Sequence, residues 1–241
     1  MNLKIIAAVA FLAAPAMAQH LPATVRSPDA RIAVTVAQNG EGQLVYTVVR
    51  NGETVIAPSR LRVRLAEGDV SALDVRTVNP RSVDQMRQLV ATKASQARDH
   101  FNEITVAGMP RSRAAGKLEW IFRVYDDGVA FRFRVPGDAG LKTLAVAAED
   151  TEIMFGADYP CHGFNVWRVD TSHEGEFDPV RAKYIREHTN YDLPLVCRTD
   201  KNALAIGEAN LVDYGGLYLG GQGSARPGSP RGPRAASMTS R

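Results

Sequence analysis

The chain has 241 residues, of which 45% are hydrophobic and 23% charged, a composition typical of a folded globular protein. This excludes a disordered polymer, a coiled coil and, with two cysteines, a disulfide-dense miniprotein. The net charge of +3 arises at the chain ends, because removing Lys4 and the four arginines of residues 220–241 leaves 24 basic and 26 acidic side chains. The slightly acidic central part gives no indication of a nucleic-acid partner.

The first 18 residues have the layout of a secretory signal peptide. Lys4 precedes an apolar run over residues 5–15, and Ala16-Met17-Ala18 has the small-x-small pattern of a cleavage site. A run of about 11 residues is too short for a membrane-spanning helix, which needs about 20. The sequence therefore predicts an exported protein without a membrane anchor, whose mature chain begins near Gln19.

The body of the chain, residues 19–219, shows the period-2 alternation of β-strands. Ile32, Val34 and Val36 share one strand face, and the dipeptide Asn51-Gly52 is typical of a tight hairpin turn. The clearest hairpin joins two aromatic-rich strands, residues 118–124 and 129–135, through the turn Asp126-Asp127-Gly128. Many short strands between turn signals predict an all-β fold, a large antiparallel β-sandwich.

Residues 80–116 are less regular than the rest of the body, being polar and rich in alanine around residues 91–97, and residues 98–103 lead into the apolar stretch 104–106. Arg60, Arg62 and Arg64 alternate with apolar residues and are expected on a solvated strand face. Residues 180–187 could form one or two short helical turns.

Residues 220–241 differ in kind from the body. They consist mainly of Gly, Pro, Ser, Ala and Arg, with no aromatic residue and no apolar periodicity. Such a segment buries too little surface to offset its ordering entropy, so the sequence predicts a disordered tail. The same composition is expected when GC-rich DNA is read out of frame, which gives the hypothesis that the native coding frame ends near Leu219.

The two cysteines, Cys161 and Cys197, allow two interpretations. In an oxidising compartment they could form a bridge over 36 positions, worth about 3 kcal/mol by the loop-entropy argument. They could equally be free thiols buried in a β core.

Five segments are similar, as a set and in order, to the N-terminal domain of glycoside hydrolase family 97. They are SPDARIAV at residues 27–34, RDHFNE at 98–103, FRVYDDGVAFRF at 122–133, SHEGEF at 172–177 and AIGEANLVDYGGLYL at 205–219. The resemblance implies exported bacterial enzymes, periplasmic or secreted, that cleave α-glucosidic or α-galactosidic bonds. It also implies a galactose-mutarotase-like supersandwich, followed in the family by a (β/α)₈ barrel that supplies the catalytic carboxylates. We therefore expect no catalytic residue in this chain and an α-linked oligosaccharide as the ligand of the complete enzyme.

By this resemblance, Glu174 offers one carboxylate to an active-site calcium ion whose other ligands come from the barrel. Calcium takes 6–8 oxygen ligands, so Glu174 alone is not expected to hold the ion tightly. The other interpretation is an exposed glutamate in a polar loop. On a strand, Glu174 and Glu176 would lie about 6.6 Å apart, but they would point the same way, which argues against an acid–base pair.

Several aromatic residues near this loop could stack on a sugar. Trp167 is the predicted substrate-binding residue, with Tyr159, Phe164 and Tyr184 as neighbours. Aromatic residues in an all-β domain are also used for core packing, and Trp120 on its alternating strand is expected to be core.

Two further functions remain as alternatives. The chain could be a stand-alone carbohydrate-binding module that uses residues 159–184. It could also be a mutarotase-like epimerase, which would require His100 or His162 to meet a glutamate in one pocket. For His100 we favour a structural role, because histidines have many such uses in folded proteins.

Overall fold

The computed structural model describes residues 20–90, 92–137, 145–166, 172–185, 189–211, 214–221 and 235–240, with the backbone only for 221 and 235–240. These residues form eighteen strands and one short 3₁₀ turn, Ala182–Tyr184. The strands are β1 (Ala23–Arg26), β2 (Ile32–Gln38), β3 (Leu44–Arg50), β4 (Glu53–Arg60), β5 (Val63–Leu65), β6 (Gly68–Asp69), β7 (Leu73–Gln88), β8 (Gln96–Pro110), β9 (Leu118–Val124), β10 (Val129–Arg134), β11 (Val146–Glu149), β12 (Glu152–Phe155), β13 (Pro160–Gly163), β14 (Asp178–Arg181), β15 (Leu195–Arg198), β16 (Ala203–Ile206), β17 (Leu217–Gly221) and β18 (Ala235–Ser240).

The strands pair antiparallel in four sheets. A seven-stranded sheet has the order β1-β2-β3-β4-β12-β18-β17, and a four-stranded sheet has the order β10-β9-β8-β7. Two smaller sheets have the orders β11-β5-β6 and β14-β13-β15-β16. The predicted all-β antiparallel sandwich is confirmed.

The hairpin turns form where the sequence predicts them. Asn51 and Gly52 have φ angles of 50° and 80°, and the flanking residues Arg50 and Glu53 pair directly. Two consecutive positive φ values define the tight turn that matches strand twist, and glycine adopts this conformation without a Cβ clash. The second predicted hairpin joins β9 to β10, with Val124 opposite Val129.

The core lies between the seven-stranded sheet and the β7–β10 sheet. Tyr46 of β3 packs on Phe122 and Phe131 of the opposing sheet, with ring centroids 6.1 and 5.3 Å apart. Trp120 is 2% exposed and lies 5.2 Å from Phe133, which confirms its core role. Alternating strand residues thus bury aromatic side chains from both layers, as in a β-sandwich.

The less regular sequence before residue 104 nevertheless forms regular strands. β7 and β8 form one long hairpin, paired from Leu73–Pro110 to Gln88–Gln96. β9 pairs with β8 only from Asn102 onward, so the outer part of the hairpin is a two-stranded ribbon. Its side chains are exposed on both faces, and this is why its sequence lacks the apolar alternation that reveals a half-buried strand.

The predicted solvated arginine face needs a correction at Arg60. Its Nε donates to Glu152 Oε1 at 2.8 Å and its backbone N–H donates to Glu152 Oε2, which ties β4 to β12. Glu152 is only 5% exposed, and this pairing explains how its charge is accommodated. Arg64 is exposed as expected, whereas Arg62 is only partly exposed and its Nε is buried.

The chain after Leu219 differs in part from the predicted disordered tail. β17 continues to Gly221, and the backbone of β18 pairs with both β12 and β17. Strand pairing uses backbone groups, so a segment without apolar periodicity can still complete a sheet. Residues 222–234 and the predicted signal peptide, residues 1–18, lie outside the described residues.

The smaller sheet β14-β13-β15-β16 carries the only two cysteines of the sequence. Cys161 on β13 lies directly opposite Cys197 on β15, and the two form a disulfide. The bridge interpretation is therefore the correct one.

The predicted short helical turn in residues 180–187 is confirmed as the 3₁₀ turn. Among the described residues, no helix is long and apolar enough to cross a bilayer.

Candidate functional site: the Glu174 loop and the neighbouring groove

The loop that carries Glu174 is fixed on one side by His173. This residue has a φ of 57°, and its Nδ1 lies 2.8 Å from Asp192 Oδ2. Its ring stacks on Tyr218 of β17 at a centroid distance of 6.1 Å. A left-handed residue with a ring contact and a polar partner gives the chain a defined bend just before Glu174.

On the other side, Gly175 packs against an aromatic ring. A Cβ at this position would overlap the ring of Phe164. The same ring contacts that of Phe177, with the two ring centroids 6.4 Å apart. Only glycine allows the backbone to approach so closely. Glu174 is therefore held between two anchored neighbours while its own side chain is exposed.

This loop is not a strand, so the assumed strand spacing of Glu174 and Glu176 does not apply. Both side chains are exposed. Within the described residues, no group of three or more His, Cys, Asp or Glu side chains is placed to hold a metal ion. A hard oxygen ligand such as Glu174 fits calcium by its chemistry, but one carboxylate fills at most two of the 6–8 positions.

The predicted aromatic residues separate into different roles. Trp167 lies outside the described residues, so its predicted sugar contact stays a prediction. Tyr159 is 5% exposed, and its hydroxyl donates to the carbonyl of Thr54, so it is a core residue. Phe164 supports the Glu174 loop, whereas Tyr184 is 51% exposed.

Tyr184 borders a groove of about 530 Å³ on the smaller sheet. Its lining consists of Pro160, Cys161, His162, Pro179, Val180, Arg181, Tyr184 and Tyr191. Cys161, which forms the disulfide with Cys197, is part of this lining, and Tyr191 is 7% exposed. Burial raises the pKa of the Tyr191 hydroxyl, so this group stays neutral and able to donate a hydrogen bond.

Asp158 organises one wall of this groove. It accepts hydrogen bonds from Arg181 Nε and from the backbone N–H of Lys183, both at 3.1 Å. Burial favours a higher pKa for this carboxyl, but the hydrogen bonds and the positive charges outweigh it and lower the pKa. Asp158 thus stays ionised and fixes the start of the 3₁₀ turn.

The two histidines lie in different places. His100 on β8 is part-buried, and its Nδ1 lies 4.0 Å from Asp126 Oδ2. His162 lines the groove, whose lining among the described residues includes no glutamate. Neither position brings a histidine and a glutamate together as the epimerase alternative requires.

Sequence reasoning did not predict the buried carboxyl of Glu149. Glu149 of β11 is 8% exposed and accepts a 2.6 Å hydrogen bond from the Tyr214 hydroxyl. Burial raises the pKa of this carboxyl, the charges of Glu208 and Asp150 add to the rise, and the hydrogen bond from Tyr214 opposes it. No sequence signal could have found the pair, because 65 positions separate the two residues.

The sequence profile described as Glycosyl-hydrolase 97 N-terminal matches residues 25–238, most of the chain and beyond Leu219. The chain belongs to this family. Among its curated relatives, a retaining α-galactosidase of Bacteroides thetaiotaomicron is 27% identical over 226 residues, covering 87% of this chain and 32% of the relative. A probable retaining α-galactosidase of Streptomyces bingchenggensis is 31% identical over 139 residues, covering 56% of this chain and 22% of the relative. The chain thus spans at most a third of these relatives.

Solved structures share the fold. A glycoside hydrolase family 97 enzyme from Pseudoalteromonas sp. strain K8, in complex with acarbose, matches with a TM-score of 0.75 at 22% identity. The match covers 90% of this chain and 31% of that enzyme. A β-arabinopyranosidase matches with the same TM-score and identity, and the match covers 90% of this chain and 35% of that protein. The family predicted from five segments is confirmed.

Proposed function

We propose that this chain is the N-terminal sandwich of an exported α-glycosidase, in which it forms one wall of the carbohydrate pocket and supplies Glu174 to a calcium ion. The observation that carries the proposal is the anchored loop, in which His173 and Gly175 are fixed and the carboxylate between them is exposed. The curated relatives, both named as α-galactosidases, support the substrate class.

In this proposal the chain presents a ligand rather than catalysing a reaction. When bound, calcium would attract electron density from oxygen atoms of a sugar or of the catalytic groups. Glu174 would contribute one or two oxygens from a backbone that does not need to reorganise. The carboxylates that cleave the glycosidic bond would come from outside this chain.

Export belongs to the same proposal. The first 18 residues have the layout of a signal peptide, and the Cys161–Cys197 disulfide is the kind of bond that persists in an oxidising compartment. Both support a periplasmic or secreted location.

A calcium titration of the purified chain, followed by NMR at the amide of Gly175, tests the role of Glu174. We expect weak binding in the millimolar range, because few of the ligands are present. Glu174→Gln should abolish the shift of the Gly175 signal. Glu176→Gln, which changes an exposed glutamate of the same loop, should leave it. Equal responses in the two variants would overturn the assignment.

A further inference from the structure

We propose that the groove between β13, β14 and the 3₁₀ turn is an accessory subsite for an α-linked oligosaccharide, separate from the Glu174 loop. The choice of sugar as the ligand rests on the proposed function. The position of the subsite is argued from three features of the groove. These are an exposed aromatic ring, two polar side chains on one face of the sheet, and the paired strands beneath them.

The aromatic ring is Tyr184, which is half exposed yet firmly placed. The backbone N–H of Ala182 donates to the carbonyl of Tyr159 at 2.9 Å, and that of Lys183 donates to Asp158. These bonds fix the turn that ends in Tyr184. Lys183 Nζ lies over the ring, 5.1 Å from its centroid, and Tyr184 as a whole is 51% exposed. The exposed part of an aromatic ring on a fixed turn can pack against the C–H groups of a sugar at little cost in backbone entropy.

The polar groups lie beside this ring on one face of the sheet. Pro160 pairs with Arg181 and His162 pairs with Pro179, so all four residues point to the same side. Arg181 and His162 carry N–H groups that can donate to sugar hydroxyls. Arg181 and His162 are diagonal neighbours across this strand pair, about 7–8 Å apart by strand geometry.

The charge balance favours a neutral ligand over an anion. Arg181 Nη2 and Lys183 Nζ both lie 3.1 Å from Asp158 Oδ2, so the carboxylate offsets much of their positive charge. A phosphate or a carboxylate would have to compete with Asp158. A polyhydroxyl ligand can use the N–H groups without displacing it.

The paired strands beneath the groove keep this arrangement in place. The Cys161–Cys197 disulfide crosses from β13 to β15, and both cysteines are buried. The groove is open to solvent and has a volume of about 530 Å³. Binding therefore needs little rearrangement of the sheet.

The test is a calorimetric titration of the full 241-residue chain with maltotriose and with melibiose, in buffer containing a calcium chelator. We expect millimolar binding of at least one sugar. Tyr184→Ala should weaken it about tenfold, and His162→Ala should weaken it measurably. Tyr184→Phe keeps the ring and should retain affinity within about threefold. Met86→Ala is the control, because Met86 is 60% exposed and lies outside the groove lining.

The outcomes separate this subsite from the proposed function. Absence of sugar binding, or full affinity in Tyr184→Ala with native circular dichroism, would overturn the subsite and leave the calcium role of Glu174 intact. Binding that requires calcium and is lost in Glu174→Gln would place the sugar at the loop instead, and would also overturn it. Calcium-independent binding that depends on Tyr184 supports the subsite even if Glu174 binds no metal.

Discussion

Gly175 shows how one residue can set the position of its neighbour, here the proposed calcium ligand Glu174. Its backbone contacts the ring of Phe164, so any larger residue must move either the ring or the loop. The exposed carboxylate of Glu174 thus depends on the absence of a side chain at the next position. The loop geometry is a packing effect rather than a property of the glutamate.

Gly175→Ala is expected to destabilise the protein by about 1–3 kcal/mol, because the added methyl group overlaps a packed ring. Gly207→Ala is the control, since a Cβ at Gly207 would meet no atom within 4 Å. Chemical denaturation of both variants measures the difference. Equal stability of the two would show that the Phe164 ring gives way without cost.

Glu149 predicts a pH-dependent stability. The pKa of the Glu149 carboxyl is raised in the folded state, so its protonated form stabilises the fold. This stabilisation is fully present below the pKa of the unfolded chain, near 4.5, and is lost as the pH rises through the pKa of the folded state. Glu149→Gln should therefore be more stable than the native chain at pH 7, and this advantage should vanish in acid. The amide oxygen introduced by this substitution can still accept the Tyr214 hydrogen bond.

Melting curves at several pH values measure this effect. Glu67→Gln, at an exposed glutamate in the turn between β5 and β6, is the control and should show no such trend. A Glu149→Gln variant that is less stable at neutral pH would mean that the carboxylate stabilises the fold in its ionised form.

At the scale of elements, the disulfide and the outer part of the long hairpin are expected to contribute very differently to the stability of the fold. The disulfide joins two buried strand positions and closes a loop of 36 positions. The outer hairpin ribbon, residues 84–100, lies beyond β9 and exposes apolar side chains such as Met86 and Val90, at 60% and 88%. The disulfide should therefore contribute strongly to the free energy of unfolding, and the outer ribbon very little.

Replacing both cysteines, Cys161→Ala with Cys197→Ala, should lower the free energy of unfolding by about 2–4 kcal/mol, because the unfolded chain loses a constraint. Val196→Ala, at an exposed position beside Cys197, is the control and should stay within about 0.5 kcal/mol. Urea denaturation measures both. An unchanged midpoint in the double variant would contradict a structural role for the bridge.

Replacing residues 84–100 by Asn-Gly should change the free energy of unfolding by less than about 1 kcal/mol, because these residues bury little surface. The new turn would join Val83 to Phe101, which already pair across the hairpin. Leu118→Ala, at a fully buried position, should cost about 2–5 kcal/mol in the same assay. A comparable loss in the shortened hairpin would show that the ribbon supports the sheet.

At the scale of the whole molecule, the chain corresponds to at most a third of its curated relatives. Glycosidases place two carboxyl groups on either side of the scissile bond, about 5–10 Å apart depending on mechanism. We assign no such pair in this chain. Under the proposed function, the carboxyl groups that cleave the bond belong to another part of the enzyme.

Assayed with calcium on p-nitrophenyl α-galactoside and α-glucoside, the purified chain should therefore release p-nitrophenol only at the background rate. Commercial α-galactosidase and α-glucosidase serve as positive controls. Calcium-dependent turnover that is lost in Glu174→Gln would refute the assignment of the catalytic groups to another part of the enzyme.

The sequence alone determined the fold class, the family and the principal hairpins of this protein. Strands with one buried face repeat apolar residues with period two, and turns such as Asn51-Gly52 need particular residues, so both leave local signals. The calcium role of Glu174 stays a prediction, and it rests on the resemblance of its segment to a family motif. The ribbon before residue 104 was missed because both of its faces are solvated.

Only the tertiary structure decided which distant residues meet. The pairing of Cys161 with Cys197, the hydrogen bond from Tyr214 to Glu149 and the ring beneath Gly175 each join different parts of the chain. The groove beside Tyr184 likewise depends on how β13 and β14 pair. Such contacts result from sheet register and packing between layers, and no local pattern of residues encodes them.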